Sequence, residues 1–210
     1  MIKALIFDFG GVLLRTEDHE PRKALAKKFA INQSELEYLV FSSSSSYQAM
    51  VGEISAFRHW QVVAKALNLN DEAVIDFRNQ FFSGDRLDLN LVTYLQRMRK
   101  DYKIGLLSNA WDDLRSLLKE EFAILELFDA VIISAEVGLI KPDARIYQLA
   151  ADKLSISTNQ AIFIDDVAEN VEAARNSGMF AIQFRSLSQI IPEINQIIGE
   201  QRNGFKPIND

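Results

Sequence analysis

Asp8, Ser108, Asn109, Lys141, Asp165 and Asp166 are the residues of this sequence whose types and positions best suit chemistry. Asp8 follows the apolar run Ala4–Phe7, Ser108-Asn109 follows Ile104–Leu107, and Asp165-Asp166 follows Ala161–Ile164; Lys141-Pro142 lies one loop beyond Ala130–Ile133. Short, almost unbroken apolar runs of this kind read as strands buried on both faces of a parallel sheet. Ligands of open α/β sheets bind just past the carboxyl ends of such strands, where these residues fall. The set suits phosphoryl transfer, a reaction that asks a protein for a nucleophile, charge neutralisation and position. Asp8 would attack phosphorus and carry an aspartyl-phosphate. Asp166, assisted by Asp165, would hold Mg²⁺ opposite Asp8, because a hard ion with oxygen ligands bridges carboxylate and phosphate and cancels their repulsion. The Ser108 hydroxyl and the backbone N–H groups around Asn109 would bind phosphoryl oxygens, and Lys141 would place a point charge on those oxygens and on Asp8. Taken singly, each residue has a plainer reading as a turn or helix-cap residue, so the argument rests on their order and shared location.

The elements that must position these residues follow from hydrophobic periodicity. A fifth apolar run spans Phe180–Phe184, and amphipathic stretches near Asp113–Glu121, Ala144–Leu154 and Ala168–Asn176 lie between the last four runs. Strand then helix, repeated, predicts an open α/β sheet. From about residue 16 to about residue 88 no comparable strand run appears, and the pattern is helical over Arg22–Phe29, Ser34–Val40, Ala56–Leu67 and Glu72–Phe82, punctuated by Asn32, Gly52, Asn70 and Gly84. An all-helical insert after the first strand is the expectation. The serine run Ser42–Ser46 reads as a flexible loop, with a substrate-facing hinge as the sharper alternative. The segment from Gly199 to Asp210 has little apolar periodicity and reads as a frayed tail.

Composition excludes several classes. The 210 residues are 48% hydrophobic and 25% charged, ordinary globular usage with enough chain for a substantial core. A net charge of -6 with no Lys/Arg run offers a nucleic-acid backbone no electrostatic footprint. The absence of cysteine removes disulfides, thiolate nucleophiles and Cys-ligated zinc, and fits a reducing cytoplasm. The apolar start, Met1 to Leu14, is broken by Lys3 and Asp8 and lacks a small-residue cleavage pattern, so it reads as a buried strand and not a signal peptide; nothing else approaches membrane-spanning length.

Ile6-Phe7-Asp8-Phe9-Gly10-Gly11-Val12-Leu13 resembles the first motif of the haloacid dehalogenase-like (HAD) superfamily. Leu107-Ser108-Asn109 resembles its second, Lys141-Pro142 its third, and Phe163-Ile164-Asp165-Asp166-Val167-Ala168-Glu169-Asn170 its fourth, so the resemblance spans almost the whole chain. It implies an α/β Rossmann-like core over residues 1–15 and 89–198 with an inserted helical cap over 16–88 and a tail over 199–210. It also implies a Mg²⁺-dependent hydrolase acting on a small phosphorylated metabolite. Gly138-Leu-Ile-Lys-Pro-Asp-Ala-Arg-Ile-Tyr147 is similar to the sugar-phosphate and glucose-1-phosphate phosphatase-like branch and to the phosphatase domain attached to epoxide hydrolases.

Most phosphatases of that superfamily carry a second Asp two residues after the nucleophile, where this chain has Gly10. Residues two apart in an extended segment point the same way, so the second carboxylate can protonate the leaving oxygen and activate water while its backbone carbonyl binds the metal. Gly10 keeps the carbonyl for Mg²⁺ and loses the acid. The expectation is either a leaving group that needs little protonation, such as the anomeric oxygen of a sugar 1-phosphate, or a substitute acid among Glu17, Asp18 and His19. The histidines support no Ser-His-Asp triad, since no Gly-x-Ser-x-Gly turn presents a serine. His59 reads as a packing residue of the insert, and Trp111 as lining the pocket mouth or packing. Two further readings stay open: a 2-haloacid dehalogenase, whose relatives also lack the second Asp, and a weakly catalytic module that binds a phosphorylated metabolite. The sequence leaves the oligomeric state open.

Overall fold

The computed structural model describes residues 1–202, with side chains through residue 200. The described residues form seven strands: β1 (Ala4–Phe7), β2 (Leu14–Thr16), β3 (Asp85–Leu87), β4 (Lys103–Ser108), β5 (Ala130–Ile133), β6 (Ala161–Asp165) and β7 (Phe180–Gln183). Five of them form a parallel sheet in the order β5-β4-β1-β6-β7. The chain builds outward from β1 through β4 and β5, then returns to build the other side through β6 and β7. The crevice where strand order reverses therefore lies beside β1.

The apolar runs are unbroken because both faces of the sheet are covered. Leu5 and Phe7 of β1 enter one buried cluster with Ile104, Leu106, Ile162 and Ile164, while Ala4 and Ile6 enter the opposite cluster with Leu107, Tyr147 and Phe163. Alternate side chains of a strand face opposite ways, so apolar residues at every position need two cores.

Five helices fill the insert: α1 (Glu20–Lys28), α2 (Gln33–Glu37), α3 (Ser44–Met50), α4 (Ala56–Ala66) and α5 (Asp71–Phe82). Their starts are chemically marked. Asn32 and Glu35 form a reciprocal capping box, and the side chains of Ser55 and Asn70 accept the N–H groups of Arg58 and Ala73, contacts worth roughly 1 kcal/mol each. The insert has a core of its own around Leu25, Leu36, Val40, Trp60, Val63 and Phe81. The remaining helices are α6 (Leu89–Met98), α7 (Leu114–Ser116), α8 (Ser134–Val137), α9 (Ala144–Lys153), α10 (Ala168–Asn176) and α11 (Leu187–Arg202).

Three expectations need correction. The serine run is no loose loop: Tyr38–Ser42 makes one turn of π-helix, Ser43 caps α3 by accepting the N–H of Ser46, and Ser45 and Ser46 are buried. Their hydroxyls are used locally, Ser46 donating to the Phe41 carbonyl at 3.0 Å and Ser45 lying 2.9 Å from His59 Nδ1; serine is tolerated in a helix interior when its hydroxyl finds such partners. Second, the insert is entered and left through strands. β2 and β3 pair antiparallel, with Leu14 opposite Leu87 and Thr16 opposite Asp85. Their ladder is three residues long and carries charges, so no apolar run announces it. Gly84 follows from the crossing, since a Cβ there would strike the Asp18 carbonyl. Third, α11 continues through Gly199 to Arg202 where fraying was expected, with Ile190, Ile194 and Ile198 packed on the sheet at four-residue spacing; residues 203–210 of the expected tail lie outside the described residues. No helix among the described residues is long and apolar enough to cross a membrane.

Candidate active site at the strand ends

The pairing register brings the acidic residues together. Phe7 stands opposite Ile164, and the Asp8 N–H donates to the Ile164 carbonyl at 2.9 Å, so the next residues on the two strands, Asp8 and Asp165, are neighbours. Asp166 follows at once, and one oxygen from each of Asp8, Asp165 and Asp166 lies within 4.8 Å of the others. Lys141 arrives from the loop before α9 and is 97% buried, with Nζ 3.0 Å from Asp8 Oδ1 and 2.6 Å from Asp165 Oδ2. The Asn109 side chain fixes the Lys141 backbone from both sides, donating to its carbonyl at 3.0 Å and accepting its N–H at 2.8 Å. That leaves the Asn109 backbone, and not its amide, for any phosphate.

Each carboxylate is held differently. Asp8 Oδ1 accepts the N–H of Phe9 at 2.7 Å as well as the lysine, which among the described residues leaves Oδ2 without a partner. Asp165 accepts from Lys141, from the Val167 N–H at 2.8 Å and from the Asn170 amide at 3.1 and 3.2 Å. Tyr147 in turn donates to the Asn170 carbonyl at 2.9 Å. Asp165 is thus saturated and serves to hold Lys141, whereas the half-buried Asp166 carboxylate has no cation within ion-pair distance among the described residues. Asn170 and Tyr147 escaped sequence reasoning as supports; an amide side chain in the first turn of the helix that follows Asp165 was the available signal.

Charge counting favours a divalent cation. Burial pushes the Asp8 carboxyl up to about 6, opposed by Lys141 and reinforced by Asp165. Burial and then Asp165 also raise Asp166. Three carboxylates against one lysine leave two negative charges crowded at the strand ends, and oxygen ligands of this kind suit Mg²⁺. The donor set therefore fits the ion, with Asp8 and Asp166 facing it. Gly11 belongs to the same arrangement: its φ is 80°, and a Cβ there would run into the Asp166 carboxylate.

Asp8, Ser108 and Asn109 open into a cavity of about 880 Å³ that runs on to the insert. Ser108 is buried at its inner end. The insert meets this cavity through a core loop: Trp111 packs with Phe41, His59 and Trp60, Asp112 accepts the N–H of Ala56 at 2.8 Å, and Asp113 pairs with Arg78 at 2.7 Å. Trp111 accordingly lines the cavity and packs at once. His59 is fully buried, held between Ser45 and the Val40 carbonyl at 2.9 Å, and burial lowers its pKa. Because a carbonyl only accepts, Nε2 carries the proton and Nδ1 takes the Ser45 hydroxyl. Glu17, Asp18 and His19 do not line the cavity. All three are exposed; Glu17 pairs with Arg15, and Asp18 accepts the Glu20 N–H where α1 begins. The structure thus places these three candidate acids outside the cavity that holds Gly10.

The family model described as hydrolase, haloacid dehalogenase-like hydrolase, matches residues 2–178. The chain belongs to this family. Among HAD-like relatives, the putative phosphatase YhcW of Bacillus subtilis is 27% identical over 85% of this chain and 81% of its own. The bifunctional epoxide hydrolase 2 of Rattus norvegicus is 32% identical over 49% of this chain, which spans only 19% of that protein's length. A HAD family enzyme of Bacteroides thetaiotaomicron, solved with magnesium and inorganic phosphate, superposes with a TM-score of 0.74 at 22% identity, covering 90% of this chain and 99% of that one. The fold is also shared, less closely, with a solved L-2-haloacid dehalogenase of Xanthobacter autotrophicus, at a TM-score of 0.64 and 19% identity, so the fold alone does not choose the reaction.

Proposed function

We propose that this chain is a Mg²⁺-dependent phosphohydrolase of small phosphorylated metabolites, with the helical insert acting as a cap over Asp8. One observation carries the reading: one oxygen from each of Asp8, Asp165 and Asp166 lies within 4.8 Å of the others, while the buried lysine beside them pairs with Asp8 and Asp165 alone among the described residues, which leaves Asp166 for a divalent cation to compensate. Asp8 Oδ2, the oxygen left unpartnered, attacks phosphorus; Lys141 and the Phe9 N–H hold Oδ1 and so aim the carboxylate. Lys141 and the Ser108 hydroxyl offer positive charge and a donor to the phosphoryl oxygens as the bond to the leaving group breaks. Asp165 and Asn109 keep Lys141 in place. Water then cleaves the aspartyl-phosphate. When bound, Mg²⁺ supplies charge neutralisation between phosphate and carboxylates. A sugar phosphate is the substrate class that the resemblance favours, and the cytoplasm is the compartment that the cysteine-free composition fits.

The dehalogenase reading draws on Gly10 and on the shared fold. Asp166 weighs against it, because an extra carboxylate facing Asp8 would repel a carboxylate substrate unless a cation stood between them. Hydrolysis of p-nitrophenyl phosphate, with and without EDTA, tests the proposal. The expected result is activity that EDTA abolishes, that Asp8→Asn lowers by at least ~10³-fold, and that BeF₃⁻ blocks by trapping at Asp8. Activity indifferent to EDTA, or halide release from a 2-haloacid, overturns it; the absence of both turnover and trapping leaves a binding module.

A further inference from the structure

The cavity that starts at Asp8 is apolar where the body of a substrate must lie. Phe41, Met50, Ile75 and Phe82 from the insert face it together with Trp111 and Leu117. Phe41 and Ile75 stay 38% and 60% exposed, so apolar surface stands open there for a ligand to cover. Most polar side chains of the same wall are paired with one another. Arg22 is bound by Asp85 at 2.8 and 3.0 Å and by the Phe81 carbonyl, Thr16 donates to Asp85, and Ser46 donates to Phe41. Arg15 is taken by Val12 and Asp88, and Arg78 pairs with Asp113. Away from the strand ends, what the described residues leave for a polar ligand is the exposed Asn79 and Glu121 and the remaining N–H groups of Arg78. Each sugar hydroxyl taken from water needs a protein partner, and a wall with so few of them favours an apolar body over a sugar.

The leaving oxygen faces a matching deficit. Gly10 brings no acid, Asp85 and Asp113 are each held by an arginine, and Glu121 is exposed. An alkoxide departs poorly without a proton, whereas a phosphate, whose second pKa is about 6, departs as it is.

On the reading of Asp8 as nucleophile given above, we infer that the substrate is, in place of the sugar phosphate that the resemblance favours, a diphosphate ester of an apolar alcohol, its carbon body against the insert and its terminal phosphate at Asp8. Asp8 Oδ2 bonds to the terminal phosphorus while the bond from that phosphorus to the bridging oxygen breaks. The electron pair leaves on that oxygen, as the monophosphate dianion of the alcohol. Water then attacks the aspartyl phosphorus, the P–O electron pair returns to Asp8, and the protons of water leave with inorganic phosphate. One water is consumed, and one monophosphate ester and one phosphate are released.

The test compares kcat/KM, in Mg²⁺, for farnesyl diphosphate, farnesyl phosphate, glucose 1-phosphate and p-nitrophenyl phosphate. Farnesyl diphosphate is expected to exceed both farnesyl phosphate and glucose 1-phosphate by at least about tenfold, the first through its leaving group and the second through apolar burial. Ile75→Asp, at an exposed position, should lower the ratio of farnesyl diphosphate to p-nitrophenyl phosphate by about fivefold or more. Gly10→Asp, where a Cβ meets nothing within 4 Å, should raise farnesyl phosphate more than the diphosphate. Glucose 1-phosphate turned over as well as farnesyl diphosphate, or a ratio indifferent to Ile75→Asp, overturns this inference while p-nitrophenyl phosphate hydrolysis keeps the phosphohydrolase standing. No turnover of any of the four, with no BeF₃⁻ trap, overturns both.

Discussion

The strand-end site and the insert wall that faces it are built on opposite principles. At the strand ends charged groups are buried and interlocked: Asn109 holds Lys141, Lys141 holds Asp8 and Asp165, and Asn170 holds Asp165. Across the cavity the wall is aromatic and aliphatic, and its charges are paired among themselves. Directional bonds keep a few atoms within tenths of an ångström of where a reaction needs them, and apolar contacts accept many shapes at modest cost. On the proposed function, the difference teaches that reaction and selection would be divided between two parts of one chain that differ in the physical force each uses.

The largest expected effect breaks the first side of this contrast. Lys141→Met keeps a similar length but leaves Asp8 and Asp165 buried without their cation; turnover should fall by about 10²–10⁴-fold, and thermal unfolding should report a loss of about 3 kcal/mol or more. An effect on stability without one on kcat would move Lys141 out of the reaction. A smaller effect falls on the border between the two regions. Trp111→Ala removes the half-buried ring that joins the core loop to Phe41, His59 and Trp60, and denaturant titration should show a loss of about 2 kcal/mol. KM should rise more than kcat falls, since on the proposed reading the ring, which lines the cavity, would lie against the substrate's body and not its phosphorus. The smallest effect belongs to the insert alone. Burial holds the His59 pKa below its ordinary value, so as pH falls protons bind first to the unfolded chain, whose histidine titrates near ~6.5. The stability contributed by His59 is full above that pH and declines below it. Melting temperatures compared at about pH 8 and about pH 5.5 should differ more for the wild type than for His59→Gln; equal slopes would mean that His59 reaches solvent and takes its proton without unfolding.

What could be read from the sequence, and what could not, follows the same division. The strand-end residues were legible because a strand buried on both faces is apolar throughout, so the first polar residue after it stands out: Asp8, Ser108 and Asp165 each appear that way. Four of the insert's five helices were legible from periodicity and from punctuation at Asn32 and Asn70, which the structure shows to be caps. The serine-rich turn was misread because composition reports propensity, and there the hydroxyls of Ser45 and Ser46 found tertiary partners that propensity ignores. β2 and β3 were missed because a three-residue ladder of mixed polarity has too few positions to show a period. Helices α6 and α11 went unmarked although both bury regular apolar faces. The commitment of the wall's arginines to Asp85 and Asp113 was out of reach, because those pairs join residues far apart in sequence.

The short ladder between β2 and β3 has a further consequence. Since Thr16 and Asp85 are partners across it, the insert starts and ends at one doorway, and the two chain segments that carry it can only shift as a pair. A different stretch of chain spliced between those two positions would interrupt none of the five sheet strands, and what it would have to re-make is the contact of the 111–113 loop with residues such as Ala56 and Arg78. The same scaffold could in that way take a different wall over Asp8.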